Sequence, residues 1–205
     1  MRATLIGVQG VELEVVLAAL GLEPIPGAPT GDWVDCDYSC RTFPGGWIVV
    51  TSQLNLDLAT DLELAASTTD QMAVGCEMYS IPMHSYAHGY RNGQLEWSVT
   101  HDPDDEARPL AVEGTLPAIV AELRAKALKA QADEDGVDFA FDVPMQLVAH
   151  YTGFVYDEDE ATDWVRLRAT AARPVRPERP RRNLWWPLLL IGLLFLVLWR
   201  WWTIP

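Results

Sequence analysis

The chain is short of cations, cysteine and recognisable catalytic signatures, and each shortage excludes something. Of its 205 residues 15 are Lys or Arg against 29 Asp or Glu, and residues 1 to 160 hold 7 of the cations and 27 of the acids. Such a body lacks the side chains that displace counterions from phosphates, so nucleic acid is not an expected partner and a basic protein is. Three cysteines, Cys36, Cys40 and Cys76, make an odd set without framework spacing. Free thiols are expected, and Cys36-x-x-x-Cys40 lacks the second pair that a structural zinc needs. There is no phosphate loop, no G-x-S-x-G and no Gly-rich dinucleotide fingerprint after a strand, so no cofactor is expected. Nor does the start, MRATLIGVQGVELEVV, read as a secretory signal, because Glu12 and Glu14 interrupt its apolar run.

What the body lacks is concentrated at the other end. Residues 161 to 205 carry eight arginines against Asp163 and Glu178, and Leu184 to Trp199 contains no ionisable side chain. Extended to Ile204, the run would make a helix about 31 Å long, enough to cross a bilayer. Trp185 and Trp186 stand at one end and Trp199, Trp201 and Trp202 at the other, where indoles favour the headgroup zones; Arg200 can snorkel from the far boundary. Seven arginines precede the run and one follows it, which by the positive-inside rule keeps the N-terminal body in the cytoplasm. The expectation is a single-pass, tail-anchored protein of the inner (cytoplasmic) membrane. Residues 161–183 form its Arg/Pro-rich linker, with Arg176, Arg179, Arg181 and Arg182 meeting lipid headgroups, and residues 184–204 its span.

Residues 1–160 read as one acidic α+β domain, a mainly antiparallel sheet packed by helices. Strands are expected at Ala3 to Val8, Gly46 to Ser52, Gln71 to Ser80 and Leu110 to Gly114. Helices are expected at Val11 to Leu20 before Gly21, Leu56 to Ser67, Leu116 to Gln131, and Val143 to Thr152 before Gly153. Phe139 and Phe141 suggest a short strand, Phe154 a return to the core, and DWVRLRA a last edge strand. From Glu23 to Gly46 the chain is rich in Pro and Gly, which predicts a long irregular segment and a candidate binding loop.

The sharpest local signal is HSYAHGYRNGQLEWSVTH. Asn92-Gly93 between alternating runs predicts a hairpin with a type I′ turn. An unbroken register from Arg91 and Gln94 pairs Tyr90 with Leu95, His88 with Trp97, Tyr86 with Val99 and His84 with His101 on one face. His84, His88, His101 and Asp102 would then form a weak candidate metal site, imidazole and carboxylate being ligands for transition metals. The blander reading is a half-buried His88 and hydrated acidic turns at Asp104 to Glu106 and Asp157 to Glu160.

GYRNGQLEWSVTHD, with its G-x-x-x-G-x-x-x-W-x-V-x-H-D spacing, and FDVPMQLVAHYTGFVYDE, with a D-x-P helix start and a T-G-aromatic turn, resemble a loose group of uncharacterised bacterial α+β proteins. The resemblance covers most of residues 1 to 160 and implies a shared fold, with no activity and no catalytic residues attached; the tail is outside it.

Two functions are compatible with these features. One is a membrane-tethered, non-enzymatic protein-binding module, immunity- or inhibitor-like, whose acidic domain captures a basic protein. The other is a metal-dependent hydrolase at the cytosolic membrane surface using His84, His101 and Asp102.

Overall fold

The structure is a computed structural model that describes residues 2–53, 56–105, 110–134, 136–156 and 161–171. A compact unit runs from Met1 to Arg173. The expected span, with Trp185, Trp186, Trp199, Arg200, Trp201 and Trp202, lies outside the described residues, as do Arg176, Arg179, Arg181 and Arg182. Among the described residues no helix is long and apolar enough to cross a membrane.

Among the described residues nine strands make a single antiparallel sheet. In chain order they are β1 (Arg2–Gln9), β2 (Leu22–Pro24), β3 (Tyr38–Phe43), β4 (Trp47–Ser52), β5 (Met72–Tyr79), β6 (His84–Arg91), β7 (Gln94–His101), β8 (Leu110–Gly114) and β9 (Val165–Ala169). Across the sheet the order is β2-β9-β3-β4-β1-β5-β6-β7-β8. Among the described residues four helices accompany them: α1 (Leu13–Leu20), α2 (Leu58–Ala66), α3 (Ile119–Asp133) and α4 (Val143–Thr152). This is the expected α+β arrangement, a mainly antiparallel sheet packed by helices.

The central strands are buried on both faces, which is why β1, β4 and β5 read as apolar runs rather than alternations. On one face Ile6, Val8, Val50 and Ala73 meet Val16 and Leu17 of α1 and Leu58 and Leu62 of α2. On the other, Leu5, Val49, Val74 and Val99 meet Val120 of α3 and Val143 and Leu147 of α4. Close approach is built in at Gly75, where a Cβ would stand 2.6 Å from Leu58 Cδ1, so α2 can lie directly on β5. The helix ends follow local chemistry. Asp57 caps α2 by accepting the Thr60 N–H at 3.0 Å, while Gly21 and Gly153 close α1 and α4 in the left-handed conformation.

Three sequence expectations are corrected. Residues 23 to 46 are not an irregular loop: they contain the end of β2, a 3-10 turn at Trp33–Asp35, and β3, which pairs with β4 through the turn at Pro44 to Gly46. The Pro and Gly residues punctuate short strands here instead of dissolving them. DWVRLRA does form a strand, β9, but it lies between β2 and β3 rather than at an edge, so residues beyond 160 complete the sheet. Phe139–Asp142 is a 3-10 turn rather than a strand, started by Asp138, whose carboxylate accepts the Ala140 N–H at 3.2 Å.

Candidate functional site

The β6–β7 hairpin turns at Asn92 and Gly93 with φ of 52° and 71°, as a type I′ turn requires. Next to the turn the pairing is the expected one, Arg91 with Gln94 and Tyr90 with Leu95. Beyond it the register shifts: Gly89 pairs with Trp97, His88 with Ser98, Ala87 with Val99, Tyr86 with Thr100 and Ser85 with His101. Glu96 is the extra residue of a bulge, its carboxylate 3.2 Å from Arg91 Nε and its carbonyl accepting the Thr115 N–H at 2.8 Å.

A one-residue slip turns every later side chain to the opposite face. Trp97, Val99 and His101 therefore point into the core under α3 and α4, with relative exposures of 1%, 0% and 1%. His84, Tyr86 and His88 stay on the other face with Ser98 and Thr100. The expected facing pair of His84 and His101 is not formed. Burial of the indole and of Val99 decides this, because the regular register would group Trp97 and Val99 with His84, Tyr86 and His88 instead of with Ala87 and Gly89.

The expected metal candidates consequently separate into three environments. His84 Nδ1 lies 3.6 Å from Asp102 Oδ1, and one ligand atom each from His84, Asp102 and Asp104 fall within 4.8 Å of one another. Two ligands held ~2.1 Å from one ion in a tetrahedral site stand roughly 3.4 Å apart, which the His84–Asp102 spacing matches. His88 stands four residues further along the strand than His84, beside β5 at Gly75, with its Nδ1 buried and without a hydrogen-bond partner among the described residues. Its burial lowers the pKa of the imidazole below the ordinary value. His101 has left the group entirely. Its Nε2 lies 2.8 Å from Asp138 Oδ2, and its ring meets Phe141 edge-on at 6.3 Å.

Asp138 and Asp104 are the residues that sequence reasoning did not single out. Asp104 belonged to an acidic run, and its N–H binds Asp102 Oδ1 at 2.9 Å in a tight turn. Asp138 carried the signature of a cap two residues before an N–H it satisfies, a signal that predicts a turn and says nothing of His101. The Asp138 carboxylate lines a cleft of about 390 Å³ between the end of β7, α3 and the segment before the 3-10 turn. Asp105 lines the same cleft, and its apolar wall is made by Ala127, Leu128, Val137 and Ala140. Asp102, Asp104, Asp105 and Asp138 thus gather at one end of the sheet.

On the side of the sheet that α1 and α2 cover is a buried carboxylate, Glu77, 3% exposed. Arg2 pairs with it and Tyr79 donates its hydroxyl at 2.8 Å. Burial raises the pKa of Tyr79 and of its neighbour Tyr86. None of the cysteines is in a disulfide, and burial pushes the thiols of Cys40 and Cys76 up to about 12, so these two offer no thiolate at neutral pH.

No family model, curated protein or solved structure matches the chain.

Proposed function

We propose that this chain is a membrane-tethered binding module, non-enzymatic and immunity- or inhibitor-like, whose acidic domain captures a basic protein. The observation that carries the reading is the gathering of Asp102, Asp104, Asp105 and Asp138 at the open end of the β6–β7 hairpin. The arginine nearest in the sheet register, Arg2, is engaged by Glu77, and Arg41, Arg91 and Arg168 pair with Asp163, Glu96 and Glu23. The acidic side chains gathered at this end support electrostatic steering of a cationic partner. Tyr79 and Tyr86 flank it, side chains that add contact area at little entropic cost.

The tether is supported by the apolar run from Leu184 and the arginines before it, with the body on the cytoplasmic side of the inner membrane. Co-purification from detergent-solubilised membranes tests both parts. A basic partner is expected with the full chain and with a chain lacking residues 184–205, and is expected to be lost when the four aspartates are changed to asparagine. Retention by the asparagine variant would sink the capture reading. A chain that stays dispersed in buffer without detergent would sink the tether.

A second reading, a metal-dependent hydrolase at the membrane surface, is favoured by the approach of His84 to Asp102 and Asp104. His101, held by Asp138, has no place in it. An ion there would act as a Lewis acid on a substrate oxygen. Stoichiometric metal in the purified full chain, lost in His84→Ala and kept in His101→Gln, would favour this reading over the first.

A further inference from the structure

We propose that α3 and the groove it forms with β8 dock on anionic phospholipid, the apolar stripe of the helix meeting acyl chains and its cations meeting headgroups. The inference deepens the tether reading and rests on it, because the span is what holds the body beside a bilayer.

α3 is sparsely covered by the rest of the fold. Of its 15 residues two are buried, Val120 and Ala127, against five of the 10 in α4. Its outward face is apolar along one line. Ala118, Ala121, Ala125, Leu128 and Ala132 recur at spacings of three and four, which stacks them along the helix, and all are exposed, Leu128 by 48%. Beside that line runs a groove of about 500 Å³, whose far wall is Val112 of β8 with Leu116 and Pro117. β8 ends the sheet, so among the described residues no further strand covers this side.

Charge decides what covers it. Of the seven Lys and Arg in residues 1 to 160, three stand on α3: Arg124, Lys126 and Lys129. Arg124 lines the groove on one side of the stripe, and Lys129, four residues after Ala125, borders it on the other. Among the described residues no acid pairs with any of the three, whereas Arg2, Arg41 and Arg91 are engaged by Glu77, Asp163 and Glu96. An anionic surface is repelled by most of a body that carries 27 acids, and is met where unengaged cations gather.

A second copy of the chain would bring the same three cations together across a twofold axis, which opposes association. Nucleic acid would supply phosphates but leave the apolar stripe without an apolar partner. A phospholipid supplies an anionic head and a hydrocarbon chain together, the division that α3 presents. The tether permits the contact. Seven strand spacings of ~4.8 Å separate β9 from β8, about 34 Å, while the chain from Ala169 to Leu184 reaches about 50 Å when extended.

The full chain, one copy per nanodisc, is placed in phosphatidylcholine alone or with an equal part of phosphatidylglycerol, each containing a nitroxide-labelled lipid, and its methyl resonances are followed. In the anionic discs the signals of Ala121, Ala125 and Leu128 should be lost to broadening. Those of Val15 on α1 and of Ile81, exposed by 46% and 89%, should remain. Three cations at the surface should raise the ratio of docked to undocked chains on the order of a hundredfold over neutral discs. Replacing all three, Arg124→Gln, Lys126→Gln and Lys129→Gln, should restore the signals. Ala125→Glu, which keeps the cations and sets a charge in the stripe, is the second variant and should restore them too. Every replaced side chain is exposed, so circular dichroism should not change.

Broadening of Leu128 no stronger than that of Val15, equal broadening in neutral discs, or broadening that survives in both variants overturns the inference while leaving the tether. Concentration-dependent shifts of Leu128 in lipid-free detergent would assign the groove to a second copy, and saturable shifts with inorganic phosphate in neutral discs would assign the cations to a free anion; either result overturns it. A chain that does not enter the discs removes the tether, and the docking with it.

Discussion

The indole of Trp97 occupies the place that a side chain on Gly89 would fill: a Cβ at residue 89 would stand 2.1 Å from Trp97 Cε2. The two residues are cross-strand partners just past the bulge at Glu96, and their fit places Trp97 inside the core. Everything that follows on β7, including the burial of His101 and the exposure of the turn at Asp102, inherits that choice of face.

Gly89→Ala should therefore destabilise the chain by about 1–3 kcal/mol, the usual cost of overpacking a filled core. Urea unfolding measures it. A loss within a few tenths of a kcal/mol would mean that the indole moves aside freely and that its fit against Gly89 does not fix the face of β7.

Arg2 and Glu77 form a mostly buried ion pair with side-chain exposures of 29% and 4%. Arg2→Ala leaves the carboxylate buried with the Tyr79 hydroxyl as its hydrogen-bond partner among the described residues, and should cost about 3 kcal/mol. Glu77→Gln, which removes the charge with the shape, should cost less. Equal losses in the two variants would show that packing rather than charge governs the position.

Cys40 and Cys76 have thiols pushed from an ordinary 9.0 up to about 12 by burial. A folded-state pKa above the unfolded value means stability that is full below about pH 9 and is lost as pH rises toward 12. At neutral pH only half-buried Cys36 should be alkylated in the native protein, and all three in denaturant. Mass spectrometry after timed iodoacetamide treatment checks this; early labelling of Cys76 contradicts it.

For His88 the sign is reversed. Burial lowers its pKa from the ordinary 6.5, so the unfolded chain takes up the proton more readily. The stability this group contributes is present above about pH 6.5 and is lost as pH falls through the folded pKa. His88→Gln should flatten the acid side of the stability profile below pH 6.5, while leaving the neutral plateau close to that of the parent. An acid limb unchanged by the substitution assigns the pH dependence to other groups.

Most elements were legible because their signals are local. The glycine after Leu20, the glycine after Thr152 and the Asn92-Gly93 pair each act through backbone conformation within a turn, and each does what its neighbours predict. Strands β1, β4 and β5 announced themselves as short apolar runs. Tyr38–Phe43 did not, because its proline- and glycine-rich surroundings masked a strand that is stabilised by β4 on one side and β9 on the other. The candidate site was half legible. His84 and Asp102 do approach each other, since both sit at the open end of one hairpin, whereas Asp138 reaches His101 from the segment just before α4, a separation that no spacing rule can bridge.

The order of residues by itself determined the acidity of the body, the apolar run near the C-terminus, the helix ends, and the existence and turn of the hairpin, because these depend on composition and on interactions within a few residues. Tertiary structure alone decided which face of β7 is inside. That choice depends on where Trp97 and Val99 find a core to enter, and the core is assembled from α3 and α4, distant in sequence, so a bulge of one residue could reverse the face without leaving any mark on the local pattern.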